Sequence, residues 1–129
     1  MLDKAVLDQI RTHAANSAPQ ECCGIFTGTA NRITAAQPAA NVHPSPESHF
    51  EIDPAALIAA HRAARGGGAQ VLGYYHSHPD GPARPSTEDR AQASGDGRIW
   101  AIIGKDLDVT LWRDDENQFT PLPYTVSHS

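Results

Sequence analysis

The sequence predicts an α/β or α+β fold in which one β-sheet is flanked by helices. Segments with helical periodicity alternate along the chain with short apolar segments typical of strands, which is the order that builds a sheet covered by helices. The 129 residues are 40% hydrophobic and 19% charged, a balance that allows a packed core. No internal repeat or low-complexity linker interrupts this order. We therefore expect residues 1–129 to form a single domain.

Three segments have the features of helices. Residues 2–15 place apolar side chains near one helical face and contain no glycine or proline. A second helix begins at Asp53-Pro54, because aspartate caps a helix well and proline suits the first helical position. This helix ends at the three glycines of residues 66–68. A short third helix is expected to begin at Ser86 and to end near Gly95.

Several short segments have the composition of strands. The clearest is Val71–Tyr75, an apolar and aromatic run that leads directly into His76-Ser77-His78. Further strands are expected at residues 22–29, 33–42, 49–52, 99–103, 109–112 and 119–126. Residues 79–85 contain three prolines and are expected to form a rigid loop, since proline does not fit a helix interior or a central strand.

Charge and composition exclude several classes of protein. Ten Lys and Arg against fifteen Asp and Glu give a net charge of -5, so the basic surface of a nucleic-acid-binding domain is missing. No apolar run is long enough for a membrane span, and the N-terminus does not resemble a signal peptide, so we expect a cytoplasmic protein. Cys22 and Cys23 are adjacent and form no disulfide framework. Adjacency also strains joint metal binding, and buried free cysteines commonly act as small apolar side chains.

The segment that begins at His76 contains the residues best suited to bind a metal. In an extended strand His76 and His78 point to the same side, about 6.6 Å apart along the chain, so both imidazoles can reach one ion. The stiff loop 79–85 can return Asp89 to them. Two imidazoles and a carboxylate leave a fourth zinc position open, as in catalytic sites. Two alternatives remain open at this point: a His-x-His pair is usually just polar and exposed, and Ser86 with Asp89 also fits a helix capping box.

Two linked motifs resemble those of the JAMM (MPN-plus) metallopeptidase family. The first reads His-Ser-His at residues 76–78, then seven residues, then Ser86, two further residues and Asp89. The second is the Pro-Gln-Glu-Cys-Cys-Gly segment at residues 19–24, which matches the family's upstream Pro-x-Glu-x-Cys-Gly context. The sequence is therefore identified as a member of this family, of the minimal bacterial type.

The resemblance implies a fold, a cofactor and a mechanism. The fold would be a mixed, curved β-sheet with helices packed against it, similar to that of cytidine deaminases. His76, His78 and Asp89 would bind one zinc ion (Zn2+) together with a water molecule. Glu21 would be the general base that takes a proton from the attacking water and returns it to the leaving amine. The Ser86 hydroxyl would help to stabilise the oxyanion that forms at the amide.

The resemblance also implies a class of substrate. Forty residues follow Asp89, and the strands expected there leave little room for the inserted segments with which eukaryotic family members hold two ubiquitins. The chain is more similar to bacterial members that act on a ubiquitin-fold sulfur carrier at its C-terminal glycine tail. We therefore expect cleavage of an amide or isopeptide bond at that glycine. A ubiquitin-type isopeptidase and a general small peptidase remain the alternatives.

Three other classes of protein fit the residues less well. A non-catalytic MPN-type scaffold typically lacks a metal ligand or the glutamate, whereas this chain keeps all five site residues. A RadC-like DNA-repair-associated domain usually reads His-Asn-His, but Ser77 stands between the histidines here. A zinc deaminase needs His-x-Glu and Pro-Cys-x-x-Cys, but position 78 is histidine and the two cysteines are adjacent. The scaffold is the strongest of the three.

Overall fold

The computed structural model describes residues 1–128, which form eight strands and three helices. In chain order these are β1 (Leu2–Asp3), α1 (Lys4–Ser17), β2 (Cys23–Thr29), β3 (Arg32–Ala39), α2 (Pro54–Arg65), β4 (Gln70–Ser77), α3 (Thr87–Gln92), β5 (Ile99–Ile103), β6 (Val109–Asp115), β7 (Gln118–Leu122) and β8 (Val126–Ser127). The predicted mixture of helices and strands around one sheet is confirmed.

All the described strands belong to one mixed sheet, in the order β7-β6-β5-β4-β2-β3-β1-β8. β4 pairs in parallel with β5 and antiparallel with β2, so it lies in the middle of the sheet. The pairs of β1 with β3 and of β1 with β8 are also parallel, and the remaining neighbours are antiparallel. The carboxyl end of β4 therefore has fixed neighbours on both sides.

Helices cover both faces of the sheet. α1 packs its apolar side chains on one face, and α2 lies over the other face, where Phe50 and Trp100 belong to a second apolar cluster. Cys22 belongs to the first cluster and Cys23 to the second, because successive residues of an extended chain point to opposite faces. Both thiols are free and buried. They serve as small apolar side chains in two different cores and cannot bind one ion together.

Two glycines allow β4 to lie close to its neighbours. Gly24 of β2 faces the buried Tyr75, and a Cβ at this position would overlap the aromatic ring. The Tyr75 hydroxyl pairs with His13 Nδ1 of α1 at 2.8 Å. A Cβ at Gly73 would overlap the backbone carbonyl of Ile99 in β5. These contacts fix β4 against β2, α1 and β5, and they fix the point at which its carboxyl end emerges from the sheet.

The start of the chain differs from the prediction. Leu2 and Asp3 were expected in the first helix but form β1, and the helix covers Lys4–Ser17. The reason is tertiary: Leu2 is fully buried, and its N–H donates to the carbonyl of Thr125. The tail predicted as one strand over residues 119–126 is also divided, into β7 and β8. The third helix ends earlier than predicted, at Gln92.

The predicted edge strand at residues 49–52 is wrong. Within the described chain, this segment has only one isolated bridge, between Ile52 and Asn41. The Asn41 side chain replaces the strand ladder, because its amide donates to the His49 carbonyl and its oxygen accepts from the Glu51 N–H. Among residues 1–128, no helix is both long enough and apolar enough to cross a bilayer.

Candidate active site

His76 lies near the carboxyl end of β4, in a buried position. His76 is 1% exposed and lies on the face covered by α2. Phe50 stacks on its imidazole with ring centroids 4.2 Å apart and planes 16° apart, and Trp100 packs edge-on at 5.7 Å. Burial lowers the pKa of His76, although the neighbouring Asp89 opposes this effect. The neutral imidazole is therefore favoured, which is the form that binds a metal.

His78 begins the loop that leaves β4, and backbone groups orient its imidazole. The backbone N–H of His78 donates to the Ile103 carbonyl of β5 at 2.8 Å. Its Nδ1 lies 2.9 Å from the Pro82 carbonyl oxygen. Because a carbonyl can only accept, Nδ1 carries the hydrogen, and Nε2 is left to bind a metal. The proline-rich loop 79–85 thus orients the imidazole in addition to connecting β4 with α3.

α3 places Asp89 opposite the two histidines. The helix begins with a capping box, in which Ser86 Oγ accepts from the Asp89 N–H at 3.1 Å and Asp89 Oδ2 accepts from the Ser86 N–H at 3.0 Å. The same carboxylate has Oδ1 at 3.0 Å from His76 Nε2 and Oδ2 at 3.1 Å from His78 Nε2. The cap and the metal site, which the sequence left as alternatives, are therefore compatible. The cap sets the orientation of the carboxylate.

The three side chains converge with a spacing that suits one metal ion. The Nε2 atoms of His76 and His78 are 3.1 Å apart, and each has a different oxygen of the Asp89 carboxylate at a similar distance. Ligands of a tetrahedral zinc ion, at bond lengths of about 2.0–2.1 Å, lie about 3.3 Å from one another. Two imidazoles and one carboxylate fit zinc and leave a position open. Among the histidine, cysteine, aspartate and glutamate side chains of residues 1–128, His76, His78 and Asp89 form the group that is close enough together to hold an ion.

The charges in the site favour a cation. Burial alone would raise the pKa of Asp89, but hydrogen bonds with both imidazoles and from the Ser86 N–H outweigh burial and hold it well below its usual range. Burial also opposes protonation of His78, but its contacts with Asp89 and with the Pro82 carbonyl raise its pKa. A proton and a metal ion therefore compete for His78 Nε2.

Glu21 lies two residues before the start of β2 and lines the same cleft as His78. β2 runs antiparallel to β4, with Cys23 opposite His76. One residue earlier, the Cys22 N–H donates to Ser77 Oγ at 2.9 Å, and the Ser77 N–H donates to the Cys22 carbonyl at 3.1 Å. The serine between the two histidines thus fixes the register that brings Glu21 to the site.

The environment of Glu21 suits a group that exchanges protons near neutral pH. The residue is 8% exposed. Burial raises its pKa to about 7, with Asp89 and Glu88 contributing in the same direction and His78 opposing. A carboxylate with this pKa can both accept and release a proton under physiological conditions.

Glu21, His78 and Ser86 line one open cleft of about 380 Å3. The rim of this cleft includes Glu47 and Arg84. Ser86 Oγ accepts from the Asp89 N–H, and a hydroxyl that accepts in this way can still donate its own hydrogen. A molecule in the cleft can therefore meet a carboxylate, a metal ligand and a hydroxyl donor at once.

The structure brings together all the residues that the sequence singled out. His76, His78 and Asp89 form the convergent set, and Glu21 and Ser86 share a cleft with His78. The roles predicted for these residues stay predictions.

Several contributors to the site were missed. Phe50, Ser77 and the Pro82 carbonyl were not expected to contact or orient site residues. Only a three-dimensional contact reveals them, since none has a residue type that indicates chemistry. The rings of His43 and His49 also stack on each other, with centroids 4.6 Å apart, a contact that their spacing in the sequence does not indicate.

The fold and the site together define a class of protein. Two histidines and an aspartate that converge, with a second carboxylate of near-neutral pKa on the wall of the cleft that His78 lines, are the arrangement of a metal-dependent hydrolase. The family described as prokaryotic homologs of the JAB domain matches residues 3–116. The chain belongs to this family, and it is a minimal prokaryotic JAMM-type zinc metallopeptidase.

Three known proteins are similar to this chain over most of its length. Desampylase from Haloferax volcanii is 35% identical over 116 residues, which are 87% of this chain and 84% of that protein. A probable TtuB-protein conjugate cleaving protease from Thermus thermophilus is 39% identical over 90 residues, which are 70% of this chain and 60% of that protein. The solution structure of protein DSY2949 from Desulfitobacterium hafniense has a TM-score of 0.88 and 26% identity, and the match covers 99% of this chain and 92% of that chain. The family fold predicted from the sequence is therefore confirmed.

Proposed function

We propose that this protein hydrolyses the amide or isopeptide bond that joins the C-terminal glycine of a ubiquitin-fold protein to an amine, and that the ubiquitin-fold protein is a sulfur carrier of the bacterial type. The observation that carries the proposal is the convergence of His76, His78 and Asp89 beside Glu21 at one open cleft. The names of two relatives, a desampylase and a protease that cleaves TtuB-protein conjugates, support this class of substrate.

The zinc ligands in this proposal are His76 Nε2, His78 Nε2 and the Asp89 carboxylate. When bound, zinc supplies a Lewis acid that lowers the pKa of a water molecule and polarises the scissile carbonyl. The protein side of the site is organised for this ion, because Pro82 orients one imidazole, Phe50 packs on the other, and the α3 cap orients the carboxylate.

Glu21 acts as the general base in this proposal. Its carboxylate accepts a proton from the attacking water, and the protonated acid then donates that proton to the nitrogen of the leaving amine. A pKa of about 7, raised chiefly by burial, suits both steps at neutral pH. General acid–base catalysis of this kind contributes about 10²–10⁴-fold to turnover.

Ser86 donates a hydrogen bond to the carbonyl oxygen as negative charge develops on it. The Asp89 N–H holds the Ser86 oxygen, so the hydroxyl is directed by the first turn of α3. A donor fixed in advance stabilises the transition state without the need to reorganise. One such donor contributes about 3–4 kcal/mol at most.

The proposed substrate fits the walls of the cleft. The loop 79–85, which is rich in proline, forms one wall, and residues 47–48 form part of the other. An extended tail that ends in glycine has little side-chain bulk, so its backbone can come close to the metal ligands between these walls. Backbone hydrogen bonds along such a tail supply affinity that does not depend on side chains.

We also propose that residues 1–129 act as one catalytic domain in the cytoplasm. One sheet contains every described strand, and helices on both faces pack on that sheet. Three separate stretches of the chain, at Glu21, at residues 47–48 and at residues 78–88, meet at the cleft, so the proposed site depends on the fold that joins them.

A panel of substrates tests the proposed function. Zinc-loaded wild type and Glu21→Gln are incubated with sulfur-carrier adducts, linked ubiquitin and unstructured peptides, and the products are identified by mass spectrometry. We expect wild type to release the carrier with a free C-terminal glycine, and Glu21→Gln to release almost none. A carrier adduct with its terminal glycine replaced by alanine is the matched control and should be cleaved poorly.

Two results would contradict parts of the proposal. Cleavage of the peptides alone would show that the substrate class is wrong, although the hydrolytic chemistry would stand. Failure of the zinc-loaded protein to cleave any amide would contradict the enzymatic proposal and favour the non-catalytic scaffold.

A further inference from the structure

The segment between β3 and α2 contacts two parts of the site, one that precedes β2 and one on β4. This segment, residues 41–52, is called the 41–52 loop here. We propose that the 41–52 loop positions the general base and a metal ligand relative to each other, and that Asn41 and Phe50 are its positioning residues. The inference rests on the proposed function, because it takes Glu21 as the base and His76 as a ligand.

Asn41 holds the loop in one conformation through its side-chain amide. Its Nδ2 donates to the carbonyls of Glu21 and His49, both at 3.0 Å. Its Oδ1 accepts from the N–H groups of His43 and Glu51, both at 3.1 Å. An asparagine amide has two donor hydrogens and an acceptor oxygen with two lone pairs, so these four contacts use its whole capacity. Aspartate would instead direct an oxygen at two carbonyls.

The first contact with the site is through the backbone of Glu21. The Glu21 N–H donates to the Pro46 carbonyl at 2.7 Å, and its carbonyl accepts from Asn41. Glu21 lies before the first residue of β2, so the 41–52 loop replaces the strand partner that it lacks. A general base must lie within hydrogen-bond reach of the proton that it takes. A shift of about 1 Å at this position therefore lowers turnover while the metal ligands stay in place.

The second contact is through the ring of Phe50. This ring is buried and stacks on the His76 imidazole at a centroid distance of 4.2 Å. Gln92 Nε2 donates to the Phe50 carbonyl at 3.0 Å, and Gln92 is on α3, the helix that carries Asp89. Phe50 is thus held between one proposed ligand and the helix that supplies another. The 41–52 loop therefore links the base, a ligand from β4 and the helix of the third ligand.

Phe119 provides a control that distinguishes the positioning role of Phe50 from simple packing. Phe119 belongs to the same aromatic cluster, with its ring centroid 4.9 Å from that of Trp100. In the described chain, Phe50 stacks on the His76 ring and Trp100 packs against it edge-on, whereas Phe119 contacts Trp100. Loss of the Phe119 ring weakens the cluster without removing a contact with the ligand. Phe50→Leu and Phe119→Leu therefore form a matched pair.

Metal binding tests the role of Phe50. Zinc affinity is measured on the full chain by competition with a chromophoric chelator, and the visible spectrum is recorded with Co2+ in place of zinc. We expect Phe50→Leu to lower zinc affinity about tenfold and to shift the Co2+ bands. Phe50→Tyr, which keeps the ring, should restore both, and Phe119→Leu should change neither. Equal effects of Phe50→Leu and Phe119→Leu, or no effect of Phe50→Leu, would overturn this part.

Turnover tests the role of Asn41. We expect Asn41→Ala to lower kcat about 10–100-fold, while KM and zinc affinity stay within about twofold, because the base moves and the ligands do not. Ser45→Ala, at an exposed position of the same loop, is the control and should behave as wild type. If Asn41→Ala does not fold, Asn41→Ser is used and should give a smaller loss of kcat. An unchanged kcat, or a loss of zinc affinity large enough to explain the whole change in kcat, would overturn this part.

Two measurements keep the inference separate from the proposed function. If wild type cleaves no conjugate, the proposed function fails, but zinc affinity and Co2+ spectra still decide the role of Phe50. Amide hydrogen exchange at Glu21 likewise needs no substrate. We expect this exchange to be at least about tenfold faster in Asn41→Ala than in wild type, because the N–H then loses its fixed partner at Pro46. Equal exchange rates would overturn the link between Asn41 and the base.

Discussion

The proposed zinc ligands and the proposed general base are held in the site in different ways. His76, His78 and Asp89 come from one stretch of chain, and each is oriented by contacts to its own side chain. Glu21 comes from a distant stretch, and the contacts that place it are to its backbone, through Pro46 and Asn41. Metal binding and proton transfer should therefore be separable by mutation, since few contacts are shared between them.

The largest effect should come from removal of a ligand. His78→Ala should abolish tight zinc binding and reduce hydrolysis to background, because two protein ligands hold zinc far less well than three. Elemental analysis of zinc-loaded protein should give about one equivalent for wild type and almost none for the variant. If His78→Ala binds zinc as well as wild type does, the ligand assignment is wrong. His61→Ala, a histidine on α2 away from the site, is the control and should keep its zinc.

Replacement of the base should separate chemistry from metal binding. Glu21→Gln keeps the size of the side chain and should keep zinc and the fold, but kcat should fall about 10²–10⁴-fold. Zinc content and kcat are measured on the same preparation. Loss of zinc together with activity would contradict the view that Glu21 is not a ligand, and an unchanged kcat would contradict the role of Glu21.

The difference between the proposed ligands and the proposed base also explains which parts of the site could be predicted from the sequence. The convergence of the proposed ligands could be predicted because a strand repeat brings His76 and His78 to one side, and because a helix start at Ser86 fixes Asp89 three residues later. The proposed base could be suggested only by its motif, since nothing in local spacing links Glu21 to residues so far along the chain. A single sheet flanked by helices could also be predicted from the order of the elements, whereas its mixed character was implied by the family resemblance.

The residues that position the site were not predictable. Asn41, Phe50 and the Pro82 carbonyl act through tertiary contacts, and a single sequence does not specify which backbone group an amide or an aromatic ring will meet. Residues 49–52 of the 41–52 loop were predicted to form an edge strand because their alternating residues fit that pattern. In the fold, the Asn41 amide satisfies the backbone groups that a strand partner would have satisfied. Leu2 was misplaced for a similar reason, because burial in the sheet outweighed local helical periodicity.

Ser86 is both the proposed oxyanion donor and part of the helix cap that orients the Asp89 carboxylate, so its replacement should have an intermediate effect. Ser86→Ala removes the proposed oxyanion donor, which should lower kcat by up to about 10²–10³-fold. It also removes the cap acceptor of the Asp89 N–H, which should lower the free energy of unfolding by about 1 kcal/mol. Kinetics, zinc affinity and urea unfolding are compared with those of Ser86→Thr, which keeps the hydroxyl. A kcat equal to that of wild type would show that Ser86 is only a cap.

The smallest effect should appear in stability, and it depends on pH. Burial raises the pKa of Glu21 from its ordinary value of 4.5 to about 7, so between these values the folded protein keeps a proton that the unfolded chain has released. Ionisation of Glu21 therefore lowers the free energy of unfolding as pH rises through this window, and the loss is complete above about pH 7. At 1.36 kcal/mol for each unit of pKa, the loss is at most about 3 kcal/mol.

Glutamine cannot ionise, so Glu21→Gln should remove this pH-dependent loss in the free energy of unfolding. In chelator, urea unfolding at pH 5 should give nearly equal stabilities for wild type and Glu21→Gln, and at pH 8 the variant should be more stable by about 1–3 kcal/mol. Glu47→Gln, an exposed glutamate on the rim of the same cleft, is the control and should follow wild type at both pH values. With zinc bound, the advantage of Glu21→Gln should shrink, because a nearby cation favours the ionised carboxylate. An advantage that is the same at pH 5 and pH 8 would mean that the buried carboxylate does not titrate in this window, and that Glu21 is not tuned for proton transfer near neutral pH.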